Sequence, residues 1–157
     1  MYYAGIGARK TPKDVCEKFE KIAKYLRGEG WTLRSGGADS AFEAGALKKE
    51  IYLPWKGFNE NESSLFTQSE RAREIARKHY DRWDSAKESV RKLMARNVHQ
   101  VLGPNCDNPS QFVVCWTEGG KRVGGTALAL SIADEYRIPI FNFYKDQTNE
   151  LWKFLNK

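Results

Sequence analysis

Four glycines crowd into Trp116-Thr117-Glu118-Gly119-Gly120-Lys121-Arg122-Val123-Gly124-Gly125-Thr126, between the apolar run Phe112–Cys115 and the amphipathic segment Ala127–Tyr136. Glycines between a buried strand and a helix let backbone amides come close to another group. A helix N-terminus carries unpaired N–H groups and a partial positive charge, so the favoured neighbour is an anion, phosphate above all. The competing reading is a tight turn whose glycines supply only positive φ.

Two further glycine turns stand at strand-to-helix junctions. Tyr2–Arg9 reads as a strand running into a turn at Gly5 and Gly7, and Thr11-Pro12-Lys13-Asp14 then starts a helix with Thr11 as N-cap and Pro12 at the first position. Val15, Phe19, Ile22 and Leu26 share its apolar face, and Gly28 and Gly30 end it. Trp31–Ser35 is a second strand, followed by Gly36-Gly37-Ala38-Asp39-Ser40 and a helix over 41–48 interrupted by Gly45; 50–53 is a third strand. From Ser69 the chain is helical in two pieces broken near Tyr80–Asp84, with Asn97 on the apolar stripe Val90–Met94–Val101. Strand 112–115, helix 127–136, strand 138–143 and a terminal helix 148–156 complete the pattern. Helices alternating with short β-branched or aromatic runs specify an α/β, Rossmann-like domain: one mostly parallel sheet of about five strands with helices on both faces. Ligands of such sheets sit at the carboxyl ends of the strands, so the three glycine turns line one rim.

None of these turns fits G-x-x-x-x-G-K-[ST], nor G-x-G-x-x-G with an acid about 20 residues on, which sets aside P-loop and standard dinucleotide folds. Three scattered cysteines with no C-x-x-C, and two histidines, point to no metal site and no disulfide framework. No apolar run approaches the ~18 residues of a membrane span and no signal-peptide pattern opens the sequence, so the expectation is one cytoplasmic domain without a membrane partner. The net charge of +6 is uneven: 69–100 holds nine Lys/Arg against five Asp/Glu, which is +4 of it. Such a segment suits nucleic acid or small anions, or is a solvated face with mixed-sign pairs.

Arg34-Ser35-Gly36-Gly37-Ala38-Asp39-Ser40-Ala41-Phe42-Glu43, Met94-Ala95-Arg96-Asn97 and Gly124-Gly125-Thr126, in that order, resemble the SLOG superfamily, which joins the DNA-processing protein A family to the "Lonely Guy" phosphoribohydrolases. The small DprA-like proteins of tailed phages are similar over nearly the whole chain. The resemblance implies a Rossmann-like sheet with its pocket at the glycine loops, often in a homodimer; a homodimer or higher homo-oligomer and no cofactor are expected. Lonely Guy enzymes use P-G-G-x-G-T-x-x-E to release a base from a nucleoside monophosphate; the glutamate's position here is Ala129. Three functions follow as expectations. The first is binding of a small nucleotide-like ligand, such as a cyclic ADP-ribose-type immune messenger sequestered in a phage-infected host cytoplasm. The second is nucleotide N-glycosidase chemistry with a relocated carboxylate, Glu43 or Asp39, with Glu118 as a substitute. The third is binding of single-stranded DNA. The ligand-binding residues expected are Gly7, Ala8 and Arg9; Arg34, Ser35, Gly36, Gly37 and Asp39; Trp55; Arg96 and Asn97; and Trp116, Gly124, Gly125 and Thr126. Amides of Gly36–Gly37 and Gly124–Thr126 hold phosphate, the arginines neutralise it, Asp39 or Asn97 reads ribose or base, and Trp55 or Trp116 stacks.

Overall fold

The computed structural model describes residues 1–38 and 40–157. Strands β1 (Tyr2–Ile6), β2 (Thr32–Ser35), β3 (Lys49–Ile51), β4 (Val113–Cys115) and β5 (Ile140–Asn142) form one sheet in the order β3-β2-β1-β4-β5, with every pairing parallel. Helices α1 (Lys13–Gly28), α2 (Ser40–Gly45) and α6 (Thr148–Leu155) bury Val15, Phe19, Phe42 and Leu151 against one face. Helices α3 (Glu70–His79), α4 (Glu88–Leu102) and α5 (Gly124–Glu135) bury Ala72, Val98, Val101 and Leu128 against the other. This is the expected Rossmann-like α/β architecture. The strands alternate accordingly: Phe112, Val114 and Trp116 join the first core, and Val113 and Cys115 the second.

The order of strands locates a crevice. The chain lays β2 and then β3 outward on one side of β1, and places β4 and β5 on its other side. Connections therefore diverge between β1 and β4, the topological switch point where α/β sheets leave room for a ligand.

Four expectations about element ends are corrected. Thr11 does not cap α1; its hydroxyl donates to the Ala8 carbonyl (2.7 Å) and accepts from the Ala8 N–H (2.9 Å), closing the β1–α1 turn, and Pro12 occupies the cap position. Helix α2 ends at Gly45 because it crosses α1 there: a Cβ on Gly45 would lie 2.5 Å from the Glu20 carbonyl oxygen. Strand β3 is Lys49–Ile51, a residue earlier and shorter than the run predicted. Helix α5 begins at Gly124 instead of Ala127, so both glycines belong to its first turn.

Two arginines of α3 and α4 are engaged at the break between the helices. The break between them is filled by buried Trp83, with the Arg73 and Arg91 guanidiniums 5.5 and 5.4 Å from its ring. Arg91 also donates to the Trp83 carbonyl (2.9 Å), and Arg73 pairs with Glu88 (2.8 Å). Ser69 caps α3 by accepting the Ala72 N–H, and Gly103, at φ 84°, ends α4.

Candidate functional site

A cavity of about 150 Å³ lies at the carboxyl edge of the sheet, at the β1–β4 switch point. It is lined by Ile6 and Gly7 after β1, Gly36 and Ala38 after β2, Arg96, Asn97 and Gln100 from α4, and Gly125 and Thr126 from α5. The three glycine turns thus contribute one glycine each, and α4 closes the cavity with three polar side chains.

Helix α4 is buried continuously from Met94 to Leu102, so these polar side chains sit in its buried half. Arg96 donates to the carbonyl of Gly36 and to that of Tyr52 (3.4 Å), and through Nε to Asn97 Oδ1 (2.8 Å). Its guanidinium lies 5.4 Å from the Phe58 ring centroid. Asn97 Nδ2 in turn donates to the Gly125 carbonyl (3.1 Å), so one side chain ties the arginine to the first turn of α5. These contacts explain two glycines better than backbone freedom does. A Cβ on Gly36 would lie 2.8 Å from Arg96 Nη1 and from Gln100 Nε2, and one on Gly125 would lie 2.8 Å from Asn97 Nδ2.

Helix α5 brings the opposite end of the electrostatic arrangement. Val123 gives it no side-chain cap and its first turn holds no acid, so the Gly124–Thr126 amides are not neutralised locally. A buried arginine, two side-chain amides and a helix N-terminus meeting in one small cavity favour a group of concentrated negative charge. Among the described residues no carboxylate lines it.

The structure separates the remaining expected residues. Arg34 is corrected: it is fully buried on the α3/α4 side, paired with Glu50 (3.0 Å), donating to the Asn108 carbonyl (2.6 Å) and stacked 4.0 Å over Tyr2. Trp116 is corrected too. It shares the parity of Phe112 and Val114 and is buried in the core, where no ligand ring can stack on it. Ser35 is buried and donates to the Gly5 carbonyl (2.8 Å), bridging β2 to β1. Gly37, at φ 77°, makes the turn beside the cavity, and its carbonyl accepts from Asn59. Ala8 and Arg9 are exposed in the β1–α1 turn, next to Gly7 but outside the lining. Trp55 is exposed and meets Phe58 edge-on at 5.4 Å, which carries an aromatic surface away from Arg96. Asp39 lies outside the described residues.

Glu43 is half-buried and accepts from Asn61 Nδ2 (3.2 Å), away from the cavity lining. Burial pushes its carboxyl up, against the opposing pull of Lys49 and Asn61. Glu118 is exposed and paired with Lys10 (3.4 Å). Gln100 was not among the expected residues, although 96, 97 and 100 share one side of a helix and the spacing alone would have found it.

No family model and no curated protein matches the sequence. A solved structure of DNA processing protein A from Helicobacter pylori, described for its single-stranded DNA binding mode, matches with a TM-score of 0.60 at 18% identity, covering 90% of this chain. The chain spans 64% of the length of that protein. The two share the fold. Among the described residues, no helix is long and apolar enough to cross a membrane.

Proposed function

We propose that this chain binds the phosphate of a nucleotide in the switch-point cavity. One observation carries the reading: Arg96, Asn97, Gln100 and the uncapped start of α5 converge on a space of about 150 Å³, which suits one phosphoryl group and leaves the nucleoside outside. The Phe58–Trp55 edge next to Arg96 is where a base finds an aromatic surface. A signalling nucleotide of the cyclic ADP-ribose type is one member of this ligand class. Calorimetric titration with 5′-AMP and with adenosine tests it. AMP binds, adenosine binds at least ~10-fold more weakly, and Arg96→Gln removes the difference. Equal affinity for both would refute the proposal. Release of free adenine, abolished by Glu43→Gln, would replace binding by hydrolysis.

A second reading is that the phosphate belongs to single-stranded DNA. It is supported by the shared fold and by a groove of about 400 Å³ beside the Trp55 edge, whose lining sets the aromatic Trp55 and Phe66 beside the basic Lys56 and Lys92. Oligonucleotide affinity would then fall with salt at a slope of roughly −0.7 per neutralised phosphate, whereas a flat response removes this reading.

A further inference from the structure

We propose that Ser131 is a nucleophilic serine, activated by His79 on the wall of a second cleft, which adjoins the first turn of α5 at Gly124 but shares no lining residue with the phosphate cavity. The cleft, about 490 Å³, opens between the end of α3, α4 and α5. Ser131 Oγ lies 2.8 Å from His79 Nδ1, and His79 Nε2 lies 2.5 Å from Glu135 Oε2. Ser131 and Glu135 stand one turn apart on α5, and His79, the last residue of α3, reaches across to both. A carboxylate acceptor at Nε2 holds the ring proton there, which leaves Nδ1 as the acceptor for the serine hydroxyl. Hydroxyl, imidazole and carboxylate in that sequence are the parts of an activated serine, here with the two ring nitrogens exchanged relative to the Ser-His-Asp triad.

The arrangement does more than tie two helices together. Glu135 is 57% exposed, and an ion pair so open to water adds little stability. His79 and Ser131 both face the cleft, whose floor is Met94 and Leu128 and whose lining also carries Asp81, Arg82 and Arg122, the last paired with Asp134. An apolar floor with Arg82 at its edge suits a small carboxylic ester whose carbonyl oxygen gains negative charge during attack. Ser131 Oγ bonds to the carbonyl carbon, and its proton passes to His79 Nδ1 while Glu135 holds the imidazolium. The ester C–O bond then breaks, and the alcohol leaves with that proton. Water, deprotonated by the same imidazole, releases the acid and restores the serine.

A fluorophosphonate probe tests the nucleophile directly: the serine oxygen bonds to phosphorus, fluoride leaves, and intact mass reads the adduct. One adduct is expected, on Ser131. It disappears in Ser131→Ala, a substitution that helices favour and that keeps the fold, and persists in Ser89→Ala on the exposed side of α4. His79→Asn slows labelling at least ~10-fold and Glu135→Gln slows it by less, the order expected for a base and its orienting partner. No adduct, an adduct elsewhere, or a labelling rate indifferent to His79→Asn in a folded variant would overturn the proposal.

Discussion

Asn97→Asp changes one NH₂ group for oxygen and should separate the fold from the anion site. The Oδ1 that accepts from Arg96 Nε at 2.8 Å is retained and becomes charged, which strengthens that bond. The Nδ2 that donates to the Gly125 carbonyl at 3.1 Å becomes an acceptor facing an acceptor, which costs about 1–3 kcal/mol. The two effects oppose, so the variant should fold with its stability changed by less than about 2 kcal/mol. Binding has no such compensation. A carboxylate in the wall of a cavity this small stands about 5 Å from a bound phosphorus, and at an effective dielectric constant of about 20 each unit of phosphate charge is repelled by roughly 3 kcal/mol. That is a loss of about a hundredfold in affinity for each unit of phosphate charge, before counting the charge of Arg96 that the new carboxylate neutralises. Calorimetry with 5′-AMP at low salt, beside thermal unfolding of the same samples, reads both quantities. An affinity within threefold of the parent in a folded variant would refute the placement of the phosphate.

Other substitutions bear on the scaffold. Gly45→Ala drives a methyl into the α1 backbone, 2.5 Å from the Glu20 carbonyl oxygen, and should cost about 2 kcal/mol and roughly 4–8 °C in Tm by calorimetry. Arg34→Leu leaves Glu50, which also accepts from the Tyr52 hydroxyl, without its buried cation and should cost about 3–5 kcal/mol in urea unfolding, with AMP affinity unchanged in the folded fraction. Burial holds the imidazole of His99 below its ordinary pKa, while its Nε2 accepts the Ser69 N–H (3.3 Å). The unfolded chain therefore binds the extra proton first, and stability is full above about pH 6.5 and falls as pH drops through that value. A urea midpoint that falls on acidification, and falls less in His99→Gln, is the expected result.

The sheet was legible because its signals are local: a two-residue alternation in 112–116, a helical stripe in 15–26, and glycines at each strand-to-helix junction. The position of the cavity followed from the same turns. The side chains that fill it were harder to assign, because which face an arginine takes depends on strand parity and on what lies across the sheet. Arg34 and Arg96 look alike in sequence, yet Arg34 turns inward to Glu50 and the Asn108 carbonyl while Arg96 lines the cavity. Trp116 illustrates the same point: counting by twos from Phe112 puts it in the core, and only its nearness to the glycines suggested otherwise. Gly36 and Gly125 look like turn residues, but the structure shows them making room for α4 side chains that no local rule brings together. Likewise, nothing near His79 in sequence announces Ser131 and Glu135, which lie more than fifty residues away.

The central claim concerns the amides at the start of α5 and the arginine facing them. An amide-resolved NMR titration with 5′-AMP observes these groups directly. The account predicts saturable shifts of the Gly124, Gly125 and Thr126 N–H signals, and of Arg96 Nε–H, at one shared Kd, with adenosine producing none of them. Shifts confined to other surfaces, or adenosine moving the same signals equally, would contradict it.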